Sequence, residues 1–412
     1  MPKKLFWFTL LFSLSIILSW LSWIPDASAF TSNQKLALQS WRIINQSYLD
    51  DTFNDQNWWF MRQRLLKKKL QSRDDSYDAI DEMLASLDEP FTRLLRPKQY
   101  HSLKISTSGE LSGVGLQINI NPETKALEVV TPITGSPAQA AGIKTRDHIL
   151  EIDGVNTDEL TLDEAANRMR GETGTSVTLL IRSMDEPEEK LYEIIRDRIS
   201  LNPVYATLDS TSSDVPIGYL HLSQFSANAT QELAHAIADL EEQGAQAYIL
   251  DLRNNPGGLL QAGIGIARLW LEDGTIVYTV NRQGILGSFD ASGEALTDKP
   301  LTVLVNQGTA SASEILAGAL QDNGRAQLVG EKTFGKGLIQ SLFELPGGAG
   351  LAVTVAKYET PDHHDIHKLG IMPDRVVSQE PISFPEVGTN ADSQYQAAVK
   401  LLNSPTFVAN AA

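Results

Sequence analysis

The chain has 412 residues, 42% of them hydrophobic, with a formal charge of −17 and no cysteine. That length exceeds one ordinary hydrophobic core and implies two or three domains, while the acidic balance disfavours nucleic-acid backbones as partners. The absence of cysteine excludes a cysteine nucleophile, an iron–sulfur cluster and any thiolate metal site.

At the N-terminus, Lys3 and Lys4 precede an apolar run from Leu5 to Ile24, and Ala27-Ser28-Ala29 forms an A-x-A cleavage triplet. This pattern predicts a secretory signal over residues 1–29, cut before Phe30, in a protein exported to a periplasm or thylakoid lumen. An uncleaved anchor is the alternative, because about 20 apolar residues also span a bilayer. Membrane association therefore stays open through such a segment, or through the substrate.

Leu36, Trp41, Ile44 and Tyr48, then Tyr77, Ile80, Met83, Leu84 and Leu87, repeat at helical spacing and predict a small helical domain over 30–104. The basic run Arg64 to Lys69 within it reads as a solvated helix face, with anionic lipid as the less ordinary alternative. From 105 to 198 the texture changes to short strands and glycine turns: Glu128–Thr131, Asp147–Gly154 and Ser176–Arg182, with a short helix Leu162–Met169. The segment Ser136-Pro-Ala-Gln-Ala-Ala-Gly142, followed by Asp147 to Gly154, resembles a PDZ domain. That resemblance implies that the loop Gly113, Val114, Gly115 and Leu116 offers backbone N–H groups to a peptide's terminal carboxylate while the peptide adds as a strand. Otherwise these glycines serve only a tight turn.

Strands and helices alternate from 199 to 385, which predicts an α/β core. The expected elements are Ile217–Phe225, Ala229–Glu242, Ala247–Leu252, Leu259–Leu271, Leu301–Val305, Ser313–Leu320 and an alternating strand Leu338–Leu345. A tail, 386–412, carries a short helix at Ser393–Leu402.

The chemistry concentrates in three segments of this core. In Asn306-Gln-Gly-Thr-Ala-Ser-Ala-Ser-Glu314, Ser311 and Glu314 have the spacing of a capping box, a common helix start without function. A serine at a strand-to-helix turn nonetheless exposes its hydroxyl, with the Ala312 N–H aimed at the same space as half an oxyanion hole. Asp251-Leu-Arg-Asn-Asn-Pro-Gly-Gly258 ends a buried strand, and its glycines permit a second N–H to face outward. Lys336 lies between Gly335 and Gly337, whose close packing would desolvate the amine and favour its neutral, basic form. Gln340, four residues on in a strand, faces the same side and could hold that amine. Serine as nucleophile with lysine as base is the reading these residues support.

Three rivals compete. Gly330-Glu-Lys-Thr-Phe-Gly-Lys336 fits seven positions of a P-loop, but glycine stands at 337 where Ser or Thr should ligate Mg²⁺, and strand rather than helix is expected next. His363, His364, Asp365 and His367 sit in a loop without a metal-ligand helix. His221 or His235 as base lacks flanking support. No metal, nucleotide or other cofactor is expected.

Taken together, Gly308 to Asp322, Gly330 to Gly337 and Asp251 to Gly258 resemble the carboxyl-terminal processing peptidases, or tail-specific proteases. The resemblance implies a ClpP/crotonase-like α/β core with an inserted PDZ domain and a small helical N-terminal domain. It implies Ser311 as nucleophile, Lys336 as general base and Gln340 as orienting residue, with the N–H groups of Gly257 and Ala312 as oxyanion hole. Asp322 matches an acidic position of importance in the family, with a structural role expected, and Leu116 and Ile118 correspond to the PDZ groove. Ser108 to Ile118 and Asp365 to Asp374 look most like the cyanobacterial and chloroplast branch, whose best-known member trims the photosystem II reaction-centre precursor in the thylakoid lumen. The implied partner is a protein with a flexible C-terminal tail. A non-catalytic PDZ scaffold or chaperone for exported C-termini is the alternative function.

Overall fold

The structure, a computed structural model, describes residues 30–183, 188–213, 215–380, 382 and 386–404. The expected signal, 1–29, and the end of the tail lie outside them. Two compact units divide the chain: Met1–Pro97 with Gln340–Thr354, and Lys98–Ile339 with Val355–Ala412.

The first unit is built on helices Ser32–Ser47, Trp58–Lys67 and Arg73–Ala85. Two of them start with side-chain caps, Thr31 paired with Gln34 and Ser72 paired with Asp75, which satisfy amides the helices leave open. The apolar positions anticipated from spacing are the buried ones, from Leu36, Trp41 and Ile44 to Ile80, Met83 and Leu87. A short strand, Arg93–Leu95, pairs antiparallel with residues 350–352 of Ala349–Glu359. This unit therefore takes in Gln340–Thr354, which the sequence boundaries assign to the α/β core.

The second unit contains two sheets that matter for function. The PDZ-like sheet runs in the order Leu116–Ile120, Leu127–Pro132, His148–Ile152, Ser176–Arg182 and Glu189–Ile195. Its core is made by Val129, Ile149, Ile152, Leu179 and Ile181 together with Met169 from helix Leu162–Met169. Leu116–Ile120 is an edge strand of this sheet.

The α/β sheet has the order Val204–Asp209, Ile217–Leu222, Ala247–Asp251, Leu301–Val305, Gln327–Gly330 and Arg375–Val376, parallel from the second strand onward. Ala247–Asp251 and Leu301–Val305 are buried along their whole length because both faces are covered. Leu220, Leu250 and Val303 meet helices Ala229–Glu242, Leu260–Arg268 and Ala312–Asp322 on one side. Tyr219, Ile249 and Leu304 meet helix Ser393–Leu402 on the other. Three adjacent parallel strands, Ala247–Asp251, Leu301–Val305 and Gln327–Gly330, thus deliver the three chemistry-bearing loops to one edge, the carboxyl end where open α/β sheets bind ligands. Two elements without a marked sequence signal, the hairpin Thr275–Asn281/Gly284–Asp290 and the strand Ala349–Glu359, pair through Thr279 and Tyr358.

Candidate active site

Ser311 stands at a sharp strand-to-helix turn, with φ 59° and ψ −117°, immediately before helix Ala312–Asp322. A non-glycine residue held there costs about 1–3 kcal/mol, so surrounding bonds must impose the conformation. Asn255 supplies several of them. Fully buried, it accepts the Ala310 N–H and the Ser313 hydroxyl on its carbonyl, each at 3.0 Å, and its side chain donates to the Leu222 carbonyl at 2.7 Å. The loop after Ala247–Asp251 is thereby riveted to the serine turn.

Glu314 does more than cap. Its carboxylate, with no exposed surface, accepts the Ser311 N–H at 2.9 Å, the Gly335 N–H at 2.7 Å, the Lys336 N–H at 2.8 Å and the Thr333 hydroxyl at 2.5 Å. One side chain therefore joins the main chain of the serine to that of the lysine. Tyr358 makes a second bridge: its phenol lies 2.6 Å from the Lys336 carbonyl and 3.2 Å from Ser311 Oγ. Burial pushes that phenol far above the ordinary tyrosine range, a shift the hydrogen bond to Ser311 opposes and the Glu314 charge reinforces. It keeps its proton at any working pH.

Both glycines beside Lys336 are sterically required. A Cβ on Gly335, at φ +91°, would come 3.1 Å from the Gly370 nitrogen, and one on Gly337 would come 2.5 Å from the His367 nitrogen. The Lys336 main chain is thus packed against the segment His367 to Gly370 and fixed at both its N–H and its carbonyl.

Gly257 lies against the serine turn. A methyl built there, at φ +92°, would sit 2.8 Å from both the Ala312 nitrogen and Ser311 Cβ. The two expected oxyanion donors are therefore neighbours. In this structure the Gly257 N–H donates to Asn255 Oδ1 at 2.9 Å rather than pointing outward.

Gln340 belongs to the first unit, where its Nε2 is 3.4 Å from Thr354 Oγ1 and Thr354 donates to Glu89 at 2.7 Å. Asp322 ends the helix that Ser311 begins, about 16 Å along its axis, and accepts the Asp362 N–H at 3.0 Å. His221 lines a cavity with Asp251 and Arg253, and His235 lies on helix Ala229–Glu242. Gly330 to Lys336 runs into strand Leu338–Leu345, not into the helix a phosphate-binding loop needs. His363 stacks on Tyr278 at 4.2 Å and pairs with Glu359 at 3.2 Å, while Asp365 pairs with Lys357 at 3.0 Å. Among the described residues no group of three His, Cys, Asp or Glu side chains is arranged to hold a metal.

In the PDZ-like part, Val114 is buried, and its carbonyl accepts the Ala138 N–H at 2.9 Å. Gly115 adopts φ +81°, where a Cβ would fall 2.2 Å from Ser136 Cβ. Gly113 bridges to Arg170. Leu116 and Ile118, on the edge strand, are partly buried against the domain core.

With this geometry, the comparisons with known proteins are decisive. The model of peptidase family S41 matches residues 216–377 and that of a PDZ domain residues 128–183. A carboxyl-terminal-processing protease from Synechocystis sp. is 65% identical over 406 residues, covering 98% of this chain and 95% of that protein. The chain belongs to family S41, among the carboxyl-terminal-processing proteases. It is similar also to the chloroplastic carboxyl-terminal-processing peptidase 3 of Arabidopsis thaliana, 44% identical over 363 residues, 85% of this chain and 70% of that one. A solved photosystem II D1 C-terminal processing protease is 37% identical with a TM-score of 0.57, covering 91% of this chain and 98% of the other. The fold expected from the sequence, an α/β peptidase core with a PDZ domain, is the one present, and the activity is that of a serine peptidase acting on protein C-termini.

Within this processing protease a further cluster supports the loop that carries Gly257. Arg253, almost fully buried, donates to Asp251 at 2.6 Å, to Asp392 at 2.8 Å and to Gln394 at 3.1 Å, while Tyr219 donates to Asp251 at 2.7 Å. Asp392 also caps helix Ser393–Leu402, so the C-terminal helix is tied to that loop. Sequence reasoning missed Tyr358, Asn255 and Arg253 as parts of the site. It saw Glu314 only as a cap, because a glutamate three residues after Ser311 carries no sign of the lysine loop.

Proposed function

We propose that this chain is an exported endopeptidase of the periplasm or thylakoid lumen that trims the C-terminal extension of the photosystem II reaction-centre precursor. The PDZ domain receives the free carboxylate of the tail at Gly113 to Leu116, and the tail adds as a strand along Leu116–Ile120. Ser311 Oγ attacks the scissile carbonyl as Lys336, in its neutral form, takes the hydroxyl proton; the same ammonium then protonates the departing amine. Water repeats the sequence on the acyl-enzyme, returning Ser311 and a neutral Lys336. The oxyanion is received by the N–H groups of Ala312 and Gly257, and its full charge outcompetes the neutral Asn255 amide oxygen for the Gly257 proton.

The single observation that supports this reading is the shared clamp: the Glu314 carboxylate binds the main chain of both Ser311 and Lys336. A scaffold that only bound C-termini would have no use for it. The test is incubation of the processed chain with a peptide carrying the C-terminal extension of that precursor, followed by mass spectrometry. Cleavage at one internal bond, lost in Ser311→Ala and dependent on a free C-terminal carboxylate, is the expected result. An intact peptide, with cleavage of unrelated tailed proteins, would remove this substrate and leave the peptidase activity standing.

A further inference from the structure

Helix Trp58–Lys67 has no role in the site described above. Its buried residues, Trp58 and Leu65, face the unit's interior. On the opposite side, Trp59, Gln63, Lys67, Phe60 and Arg64 are all exposed, and at 100° per residue they fall within one arc of about 140°. Trp59 and Phe60 are 63% and 57% exposed, a large outlay of aromatic surface for a protein in water.

The surface is ordered rather than loose. Trp59 stacks on Trp41 with ring centres 5.4 Å apart, and the Arg62 guanidinium lies 5.0 Å from the Trp59 ring. The Arg64 guanidinium lies 5.4 Å from the Phe60 ring.

The charge of this segment opposes that of the chain. Between Asp55 and Asp74 there is no acidic residue, and Arg62, Arg64, Lys67, Lys68 and Lys69 follow one another within eight positions, in a protein with 51 acids and a net charge of −17. Lys68 pairs with Glu82; Arg64 and Lys67 lie on the exposed arc, and Lys69, also exposed, follows just beyond the helix end. A helix with aromatic rings and basic groups on one face, and no acid, matches a lipid interface: the rings sit at headgroup depth and the cations meet lipid phosphates.

We propose that the helix Trp58–Lys67 is a peripheral docking surface for an anionic lipid bilayer, with Trp59 and Phe60 entering the headgroup layer and Arg64 and Lys67 neutralising lipid charge. It would hold an otherwise acidic enzyme at a membrane surface after its leader is removed. The inference is independent of the catalytic assignments.

The test is flotation of the processed chain beginning at Phe30, the form left by the proposed cleavage, with vesicles of pure phosphatidylcholine or of phosphatidylcholine mixed with phosphatidylglycerol. Binding to the anionic vesicles alone, weakening as salt is raised, is expected. Arg64→Glu/Lys67→Glu should lower the partition coefficient about thirtyfold or more, at about fivefold for each basic residue. Trp59→Ala/Phe60→Ala should lower it roughly tenfold. Both variants should stay folded and keep the parent's turnover of a soluble peptide, with the aromatic variant melting a few degrees lower for loss of the Trp41 stack. Failure of the parent to float with anionic vesicles at low salt overturns the proposal, as does equal flotation of parent and both variants. Loss in the charge variant alone overturns entry of the two rings into the headgroup layer, leaving only charge attraction to the lipid surface.

Discussion

Replacing Glu314 by glutamine probes the clamp that unites serine and lysine. One carboxylate oxygen accepts the Thr333 hydroxyl and the Gly335 N–H, the other the Ser311 and Lys336 N–H groups. A glutamine keeps one oxygen, and its amide nitrogen faces two donors it cannot accept from. Two bonds to a buried charge are lost, at about 1.5–3 kcal/mol each, or roughly 3–6 kcal/mol together. Part of this appears as stability, a fall in Tm of roughly 5–15 °C for a chain of this size. The remainder appears as displacement of Lys336, and because each 1.4 kcal/mol is tenfold in rate, kcat should fall about a hundredfold or more. The assay pairs a thermal melt with steady-state hydrolysis of a tailed peptide, using Thr333→Val, which removes a single bond, as the graded comparison. A Glu314→Gln protein within about 1 kcal/mol and threefold of the parent in both readouts would refute the clamp.

Tyr358→Phe removes the phenol beside Ser311 Oγ and the Lys336 carbonyl; orphaning that carbonyl should cost about 1–3 kcal/mol and lower kcat about tenfold with KM little changed, measured by the same two assays. Gly257→Ala places a methyl against the serine turn and should reduce kcat about 10²–10³-fold, the loss expected for an oxyanion donor, while affinity for a C-terminal peptide, measured by calorimetry, persists. Arg253→Met leaves Asp251 and Asp392 buried without their cation, which should cost about 3–5 kcal/mol in chemical denaturation. Burial pushes the Asp392 carboxyl up, but the hydrogen bonds and charge of Arg253 outweigh it and hold the folded value below the ordinary range. Its contribution is therefore complete above pH of about 4 and lost as pH falls through the depressed value, so thermal stability of the parent should be flat above that point and decline below it.

Much of this protein is legible in its sequence because the signals are local. Ala229–Glu242, Leu301–Val305, Leu338–Leu345 and Ser393–Leu402 have the anticipated limits, set by alternation, helical spacing and caps. The serine and lysine segments are equally plain, since glycine and small residues mark turns where backbone must pass close to backbone. What escapes is long-range. Tyr358 occupies an ordinary strand position, and only the sheet pairing of Thr279 and Tyr358 brings its phenol to Ser311. Arg253 meets Asp392 across 139 positions, a pairing no local pattern encodes. Gln340 follows Lys336 by four residues, yet the compact units divide between Ile339 and Gln340, so strand periodicity alone could not place it. The basic run Arg64 to Lys69 is visible as charge, but the exposed Trp59 and Phe60 beside it emerge only from the helix's packing.

The central claim, that the Lys336 amine is the base for Ser311, is tested most directly by kcat/KM across pH for the parent, Lys336→Ala and Lys336→Arg on one tailed peptide. Arginine retains charge and length but does not give up its proton in a protein, so both variants should fall by about 10²–10⁴-fold at every pH, with a small primary amine restoring part of the activity to Lys336→Ala only. Lys336→Arg retaining more than about a tenth of the parent's kcat/KM, against the loss expected on removal of a general base, would contradict the account.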